Sequence, residues 1–248
     1  MNILTFGSCL SRFTANQYCR IFGGKVISSV YQNRSDSFVG NYIDYSLESF
    51  KFEELEPFLA LTPTSSEEFG TLSIVKDQLK NTVGLHVLPN REGLFDTLGV
   101  ADVDIIIADN FVDIGARLMY RENNINKKIF LRKHDINNFD NSWRTTELLS
   151  VEEGVCNMGK VLKYFRSFYK DAYIVFINFP CNTYYESPKR VERTLNYQDK
   201  FNLDMDKFLL LKSLDVPAQY QTNERQHYTS EHYAYCAGMI YSFINNFK

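Results

Sequence analysis

Residues 3–31 read ILTFGSCLSRFTANQYCRIFGGKVISSVY, and this stretch decides the fold. Residues 3–6 are a short apolar run that Gly7 interrupts, which is typical of a strand. Residues 11–22 carry apolar side chains at helical spacing and end at two glycines, which predicts a helix. Residues 25–31 are again rich in β-branched side chains. The stretch is therefore predicted to be a βαβ unit, which favours a parallel sheet covered by helices.

The rest of the chain continues the alternation of strands and helices. The predicted elements are a buried strand at 104–108, an amphipathic helix at 151–169, a buried strand at 173–177, a helix start at 187–192, a short strand or helix end at 208–211, and a closing helix at 231–247. With right-handed crossovers, this order predicts an α/β fold with a doubly wound, mostly parallel, flavodoxin-like sheet flanked by helices. We expect a single domain over residues 1–248.

Residues 41–100 do not fit this alternation. They show no sustained periodicity, and the Pro63-Thr64-Ser65-Ser66 segment is typical of a loop. We expect this span to be an insertion that leaves the sheet and covers the site.

Composition narrows the class of protein. The 248 residues are 44% hydrophobic with a net charge of −3, so we expect no nucleic-acid partner. The beginning of the chain lacks a signal-peptide pattern and no stretch approaches the ~20 apolar residues of a membrane helix, which favours a cytoplasmic protein with no membrane span. The cysteines are odd in number, and their wide spacing argues against disulfides or structural zinc: Cys9, Cys19, Cys156, Cys181 and Cys236.

The first candidate site is Gly7-Ser8-Cys9, where the first strand turns into the first helix. A hydroxyl at this point is exposed at the carboxyl edge of the sheet, and the free N–H groups of a helix N-terminus can hold an oxyanion. Ser8 is therefore a candidate nucleophile. The alternative is that Ser8 only caps the helix.

The second candidate site is Glu224-Arg225-Gln226-His227, near the other end of the chain. A carboxylate three residues before a histidine can bond one ring nitrogen and leave the other free to take a proton. We predict His227 as the general base and Glu224 as its orienting acid. Two pairings compete with this one: Glu231 as the acid for His227, and His232 as the base.

Together these motifs resemble the SGNH (GDSL-like) hydrolase superfamily, with the Gly-Ser-Cys opening closest to the GSCFA-type and capsule-polysaccharide acyltransferase branches. The resemblance implies Ser8 as nucleophile, His227 as base and Glu224 as acid, with Glu where the superfamily has Asp. It also implies Asn110, after the 104–108 strand, as an oxyanion donor. The superfamily's glycine after the second strand is missing here, so a backbone N–H of the 32–37 loop, Arg34 or Ser35 is expected to replace it.

The expected reaction is acyl transfer through a covalent intermediate, with water or a sugar hydroxyl as acceptor. The resemblance implies a carbohydrate acetyl esterase or an O-acetyltransferase of glycan biosynthesis. No cofactor is required, although acetyl-CoA is a candidate donor whose phosphates could meet Arg12, Arg34 or Lys133. The sequence does not indicate an oligomeric state.

Two other interpretations stay open. Cys9 could replace Ser8 as nucleophile, because a thiol at a helix N-terminus is expected to have a lowered pKa. The protein could instead be a non-catalytic glycan-binding module with an aromatic groove. A metal enzyme is disfavoured, since no metal-binding spacing joins the histidines His86, His134, His227 and His232.

Overall fold

The computed structural model describes residues 1–67, 70–85, 91–137 and 142–247. His86, one of the histidines weighed as a metal ligand, lies outside these described residues. The strands are β1 (Asn2–Gly7), β2 (Lys25–Tyr31), β3 (Ile105–Asp109), β4 (Met119–Arg121), β5 (Asn124–Ile129), β6 (Trp143–Thr145), β7 (Tyr173–Ile177) and β8 (Phe208–Leu211). The helices are α1 (Cys9–Phe22), α2 (Ser35–Tyr42), α3 (Phe52–Leu55), α4 (Thr71–Lys76), α5 (Leu94–Thr97), α6 (Phe111–Gly115), α7 (Val151–Phe168), α8 (Pro188–Lys200) and α9 (Ser230–Asn245).

The central sheet has five strands in the order β2-β1-β3-β7-β8, and every neighbouring pair is parallel. This is the flavodoxin-like order, in which the chain reverses direction across the sheet between β1 and β3. The predicted doubly wound α/β class is therefore confirmed. Residues 208–211, for which a strand or a helix end was expected, are the edge strand β8.

Helices cover both faces of this sheet. Helices α1 and α9 pack against each other on one face, and α2, α7 and α8 pack together on the other. The core between them is aromatic as well as aliphatic: Phe6 of β1 meets Phe38 of α2 at 5.1 Å and Phe165 of α7 at 6.0 Å between ring centroids. Helix α7 begins at a capping box in which Ser150 and Glu153 bond each other's backbone N–H groups.

The chain forms a second, smaller sheet from strands that come between β3 and α7 in the sequence. It is antiparallel, in the order β5-β4-β6. Its apolar side chains form one cluster with residues of the 41–100 span, which contains α3, α4 and α5: Phe50, Leu55, Leu59, Val75 and Leu79 pack with Met119, Ile129, Leu131, Ile136 and Trp143. We call residues 50–79 and 119–145, excluding those not described, the covering lobe. The expected insertion thus shares its core with a later segment in which the sequence analysis identified no strands.

Within the described residues, no helix combines the length and the apolar character needed to cross a membrane.

Candidate active site

The turn from β1 into α1 is anchored by a buried carboxylate. Asp109, at the end of β3, accepts hydrogen bonds from Ser8 N at 2.8 Å and Ser11 N at 3.0 Å. Gly7 makes this approach possible, because its φ of +143° disfavours a side chain and a Cβ there would lie 2.6 Å from the Asp109 Oδ2. Burial raises the pKa of Asp109, while the N–H donors oppose that rise. These hydrogen bonds join the end of β1 to the end of β3, at the point where the strand order reverses.

Ser8 uses its hydroxyl within this anchor. Its Oγ donates to Asp109 Oδ2 at 3.1 Å and accepts from Leu10 N at 3.2 Å, so Ser8 is the N-cap of α1. The expected contact between Ser8 and His227 is replaced by a contact made by the next residue. Both Ser8 and the first helical residue line the cavity, but Asp109 holds the Ser8 hydroxyl, and the first helical residue is the one that contacts His227.

That residue is Cys9. Its Sγ lies 3.2 Å from His227 Nε2 and 3.2 Å from the Tyr31 hydroxyl at the end of β2. On the other side of the imidazole, Glu224 Oε2 contacts His227 Nδ1. The spacing-based pairing of Glu224 with His227 is therefore present, and the three side chains form a chain from carboxylate to imidazole to thiol. This is the relative geometry that nucleophilic catalysis requires.

The thiol is buried, with 5% of Cys9 exposed. Burial raises the pKa of Cys9 to about 11, and the Tyr31 hydrogen bond and the Arg12 charge only partly oppose this effect. The expectation of a lowered pKa at the helix N-terminus is thus wrong for this thiol. The desolvation cost of the thiolate exceeds the stabilisation that Tyr31 and Arg12 provide.

The loop that carries His227 is closed by its own side chains. Thr222 Oγ1 donates to the carbonyls of Glu224 at 3.0 Å and His227 at 2.9 Å, and Glu224 N donates back to it at 3.2 Å. Gln221 and Tyr228 form a bridge at the base of the loop. The Glu224–His227 spacing is therefore held locally, before α9 begins.

The competing base and acid lie elsewhere. His232 is 1% exposed, and its Nε2 faces Cys236 Sγ within α9 at 3.9 Å. Burial lowers the pKa of His232 to about 4. Glu231 is exposed, and its carboxylate accepts from Ser230 at 3.3 Å. Neither side chain lines the cavity beside Cys9.

The predicted oxyanion residues are occupied by structural bonds. Asn110 donates to Asn178 Oδ1 and accepts from Phe179 N at 2.8 Å, tying β3 to the end of β7. Ser35 donates through N and Oγ to the carboxylate of Asp113 at 2.8 and 2.7 Å. These two residues are buried and are not among those lining the cavity, and their role as oxyanion donors stays a prediction.

The three basic residues considered for phosphate contacts do not line the cavity. Arg34 is buried, pairs with Asp36 at 2.7 Å and donates to the Ala116 carbonyl at 3.0 Å. Arg12 is fully buried, with its guanidinium 5.1 Å from the Tyr31 ring centroid. Lys133 is exposed and does not line the cavity. No phosphate contact is assigned to any of the three.

Cys9 and His227 open into a cavity of about 650 Å³, within the usual range for small-ligand sites. Its walls come from both the sheet edge and the covering lobe, which contributes Ile74, Phe130, Arg132 and His134. Aromatic rings supply much of the lining: Tyr31, Phe111, Phe130 and Tyr184. A sugar ring stacks well on such surfaces.

Among the cavity residues that sequence reasoning did not assign are Gln32 and Arg190. Gln32 follows β2 and has a left-handed backbone, with φ at +56°, which is uncommon outside glycine. It stands in the loop where a glycine was expected, so the position itself was a usable signal. Arg190 lies in the first turn of α8, and no local pattern in the sequence indicates its orientation.

No protein-family model matches the sequence, and no curated protein matches it. Among solved structures, an acetyl xylan esterase (Est2A) from the rumen bacterium Butyrivibrio proteoclasticus superposes with a TM-score of 0.46 at 11% identity, covering 99% of this chain and 63% of that one. A carbohydrate esterase family 2 enzyme with a carbohydrate-binding domain from Corynascus thermopiles (Myceliophthora fergusii) gives 0.45 at 9% identity, covering 98% and 66%.

A third solved structure, described as a carbohydrate esterase with divergent catalytic and non-catalytic binding functions, gives a TM-score of 0.40 at 11% identity, over 98% of this chain and 68% of that one. The chain thus spans less than two thirds of the length of the first two structures, at 63% and 66%.

Proposed function

We propose that the protein is a cysteine-dependent acyl-transfer enzyme acting on O-acylated carbohydrates, with Cys9, His227 and Glu224 as its catalytic side chains. The observation that carries this proposal is the 3.2 Å contact between Cys9 Sγ and His227 Nε2 inside an open cavity. Ser8 is the adjacent cap rather than the nucleophile, because its hydroxyl is bonded to Asp109.

In the first half of the reaction, His227 Nε2 takes the thiol proton as Cys9 Sγ attacks the ester carbonyl. The S–C bond forms and the carbonyl oxygen becomes an oxyanion. When the tetrahedral species collapses, the ester C–O bond breaks and the leaving sugar alkoxide receives the proton from His227. The product of this half-reaction is a thioester on Cys9.

In the second half, His227 removes a proton from water or from a sugar hydroxyl that attacks the thioester. The S–C bond then breaks, and the Cys9 sulfur regains its proton from His227. Glu224 orients the imidazole and balances its charge in both halves. The raised pKa of Cys9 supports proton transfer that accompanies attack, rather than a thiolate formed beforehand.

We assign two donors to the oxyanion. The first three N–H groups of α1 belong to Cys9, Leu10 and Ser11, and the last two bond to Ser8 Oγ and Asp109. The Cys9 N–H has no acceptor in the described part of the chain, and it lies beside the reacting sulfur. The second donor is the side-chain amide of Gln32, which lines the same cavity.

The carbohydrate part of the proposal rests on the aromatic lining together with the superfamily resemblance of the two motifs. A sugar ring can lie against Tyr184 or Phe111 while its acyl group reaches Cys9. Water as final acceptor makes the protein an esterase, and a sugar hydroxyl makes it a transferase.

The test compares Cys9→Ala, Ser8→Ala and Cys156→Ala on p-nitrophenyl acetate and on acetylated xylo-oligosaccharides, with and without a deacetylated acceptor sugar. Cys9→Ala should abolish turnover, whereas Cys156→Ala, at an exposed thiol on α7, should match the wild type. Intact-protein mass spectrometry after quenching should show one acetyl group, located on the Cys9 peptide. Full turnover by Cys9→Ala, or acetylation on Ser8, would overturn the assignment.

A further inference from the structure

Arg190 places a guanidinium in the wall of the same cavity. The Arg190 Cζ lies 3.8 Å from the ring centroid of Tyr184 and 5.0 Å from that of Phe111. Gly115 supplies the room, because a Cβ there would lie 3.0 Å from both Nη1 and Nη2 of Arg190. The two rings and the glycine therefore fix the plane of the guanidinium.

Two of the three guanidinium nitrogens of Arg190 make no hydrogen bond within the described residues. Its Nε and Nη2 are buried, and neither has an acceptor within the described residues. Burial lowers the pKa of Arg190, which reflects the same loss of water. Buried donors without acceptors are costly, so their presence beside a cavity indicates a ligand that supplies the acceptors.

Other cavity charges are already compensated. Arg132 bonds to the buried carboxylate of Asp135 at 2.8 Å, and Glu224 contacts His227. By contrast, no carboxylate among the described residues forms an ion pair with Arg190. One positive charge is thus left over in the wall of the cavity that Cys9 and His227 also line.

We propose that Arg190 binds a carboxylate of the substrate, so that the protein acts on acylated acidic sugars such as uronates. The planar fork of a guanidinium matches the two oxygens of a carboxylate. A single unpaired cation balances one carboxylate, whereas a phosphate would bring a larger negative charge. The flanking rings of Tyr184 and Phe111 suit the sugar that carries the carboxylate. This inference rests on the proposed function for its substrate, but carboxylate binding can be tested without turnover.

The kinetic test measures kcat/KM on two matched esters, an acetylated methyl glucuronoside and the corresponding acetylated methyl glucoside. We expect the wild type to prefer the glucuronoside. The preference ratio should fall by about 10- to 100-fold in Arg190→Gln, because a charge-assisted pair is lost. Lys189→Gln removes the same charge from the neighbouring exposed position and should keep the ratio. A wild type without preference, or a ratio unchanged in Arg190→Gln, would overturn the proposal.

The binding test uses isothermal titration of the full chain with glucuronate, glucose and acetyl-CoA. Glucuronate should bind more tightly than glucose, and this difference should vanish in Arg190→Gln. Gly115→Ala, which crowds the guanidinium while keeping its charge, should weaken glucuronate binding in a protein whose thermal unfolding shows that it is folded. Binding of acetyl-CoA that depends on Arg190, without binding of glucuronate, would overturn the proposal in favour of an anionic acyl donor. Arg190-dependent glucuronate binding without any turnover would support this inference and contradict the proposed function.

Discussion

Cys9 Sγ and His227 Nε2 lie 3.2 Å apart although 218 positions separate the two residues in the chain. Each is held by its own anchor: Asp109 fixes the turn before Cys9, and Thr222 closes the loop before His227. The packing of α1 against α9 then brings the two ends of the chain to one rim of the sheet. The site therefore exists only in the folded chain.

Replacing Ser8 with Ala should affect stability more than chemistry. The substitution removes the N-cap of α1 and one hydrogen bond to Asp109, which should cost about 1 kcal/mol of unfolding free energy. Urea unfolding measures that loss, and the rate of acetyl-enzyme formation measures the chemistry. If Ser8→Ala stops acylation as completely as Cys9→Ala does, the cap role assigned to Ser8 is incorrect.

Replacing Glu224 with Gln should slow turnover by about 10- to 100-fold. The amide cannot balance the charge on His227, yet the Glu224 side chain is 61% exposed, so water screens part of the effect and the loss stays below that of removing the base. Glu231→Gln is the matched control, since that carboxylate contacts Ser230 instead. Steady-state kinetics on p-nitrophenyl acetate compares the two variants. A larger loss in Glu231→Gln would show that the acid was assigned to the wrong residue.

The raised pKa of Cys9 predicts how its alkylation depends on pH. Because burial raises this pKa to about 11, the thiolate fraction should grow about tenfold per pH unit from neutrality to pH 9. Short pulses of iodoacetamide, followed by peptide mass spectrometry in a Cys156→Ser background, measure the rate at Cys9. A plateau near neutral pH would instead indicate a thiolate–imidazolium pair formed before substrate arrives.

Gln32 offers a test of the oxyanion site. Gln32→Gly removes the side-chain amide while suiting the left-handed backbone, whose φ is +56°, so the fold should not be strained. Turnover should fall by about 10²-fold, the usual cost of losing one oxyanion donor. Unchanged turnover in Gln32→Gly would remove the amide from the mechanism.

Asn110→Ala tests the residue that the resemblance suggested. This substitution should lower the stability of the protein, because Asn110 bonds Asn178 and Phe179.

Asp113 predicts a pH dependence of stability. It is 2% exposed, accepts from Ser35 at 2.7 Å and Tyr197 at 3.2 Å, and burial raises its pKa from an ordinary 3.8 to about 7. Because the folded state holds this proton more tightly than the unfolded state, its contribution is complete below pH 3.8 and is lost as the pH rises to about 7. The difference in unfolding free energy between wild type and Asp113→Asn should therefore shift against the wild type over that interval. Urea titrations at stepped pH measure it, and a flat difference would contradict the raised pKa.

Much of the central sheet could be predicted from the sequence. The strand β7 and the helices α1, α7 and α9 are marked by local periodicity and by glycine or serine signals at their ends, which act within a few residues. The covering lobe could not be predicted in this way. Strands β4 and β6 have three residues each, and they are stabilised by apolar contacts with a segment far earlier in the chain.

The candidate site also has a part that the sequence predicts and a part that only the tertiary structure decides. The sequence by itself determined a local spacing: three residues in one loop bring the Glu224 carboxylate to the His227 imidazole, while Glu231 and His232 stayed open as alternatives. Only the tertiary structure decided that the thiol of Cys9, and not the hydroxyl of Ser8, faces that imidazole. The reason is that Asp109, contributed by another strand, captures the Ser8 hydroxyl and sets the rotation of the turn. Arg190 likewise lines the cavity because it packs against Tyr184, Phe111 and Gly115. No local pattern in the sequence encodes these contacts.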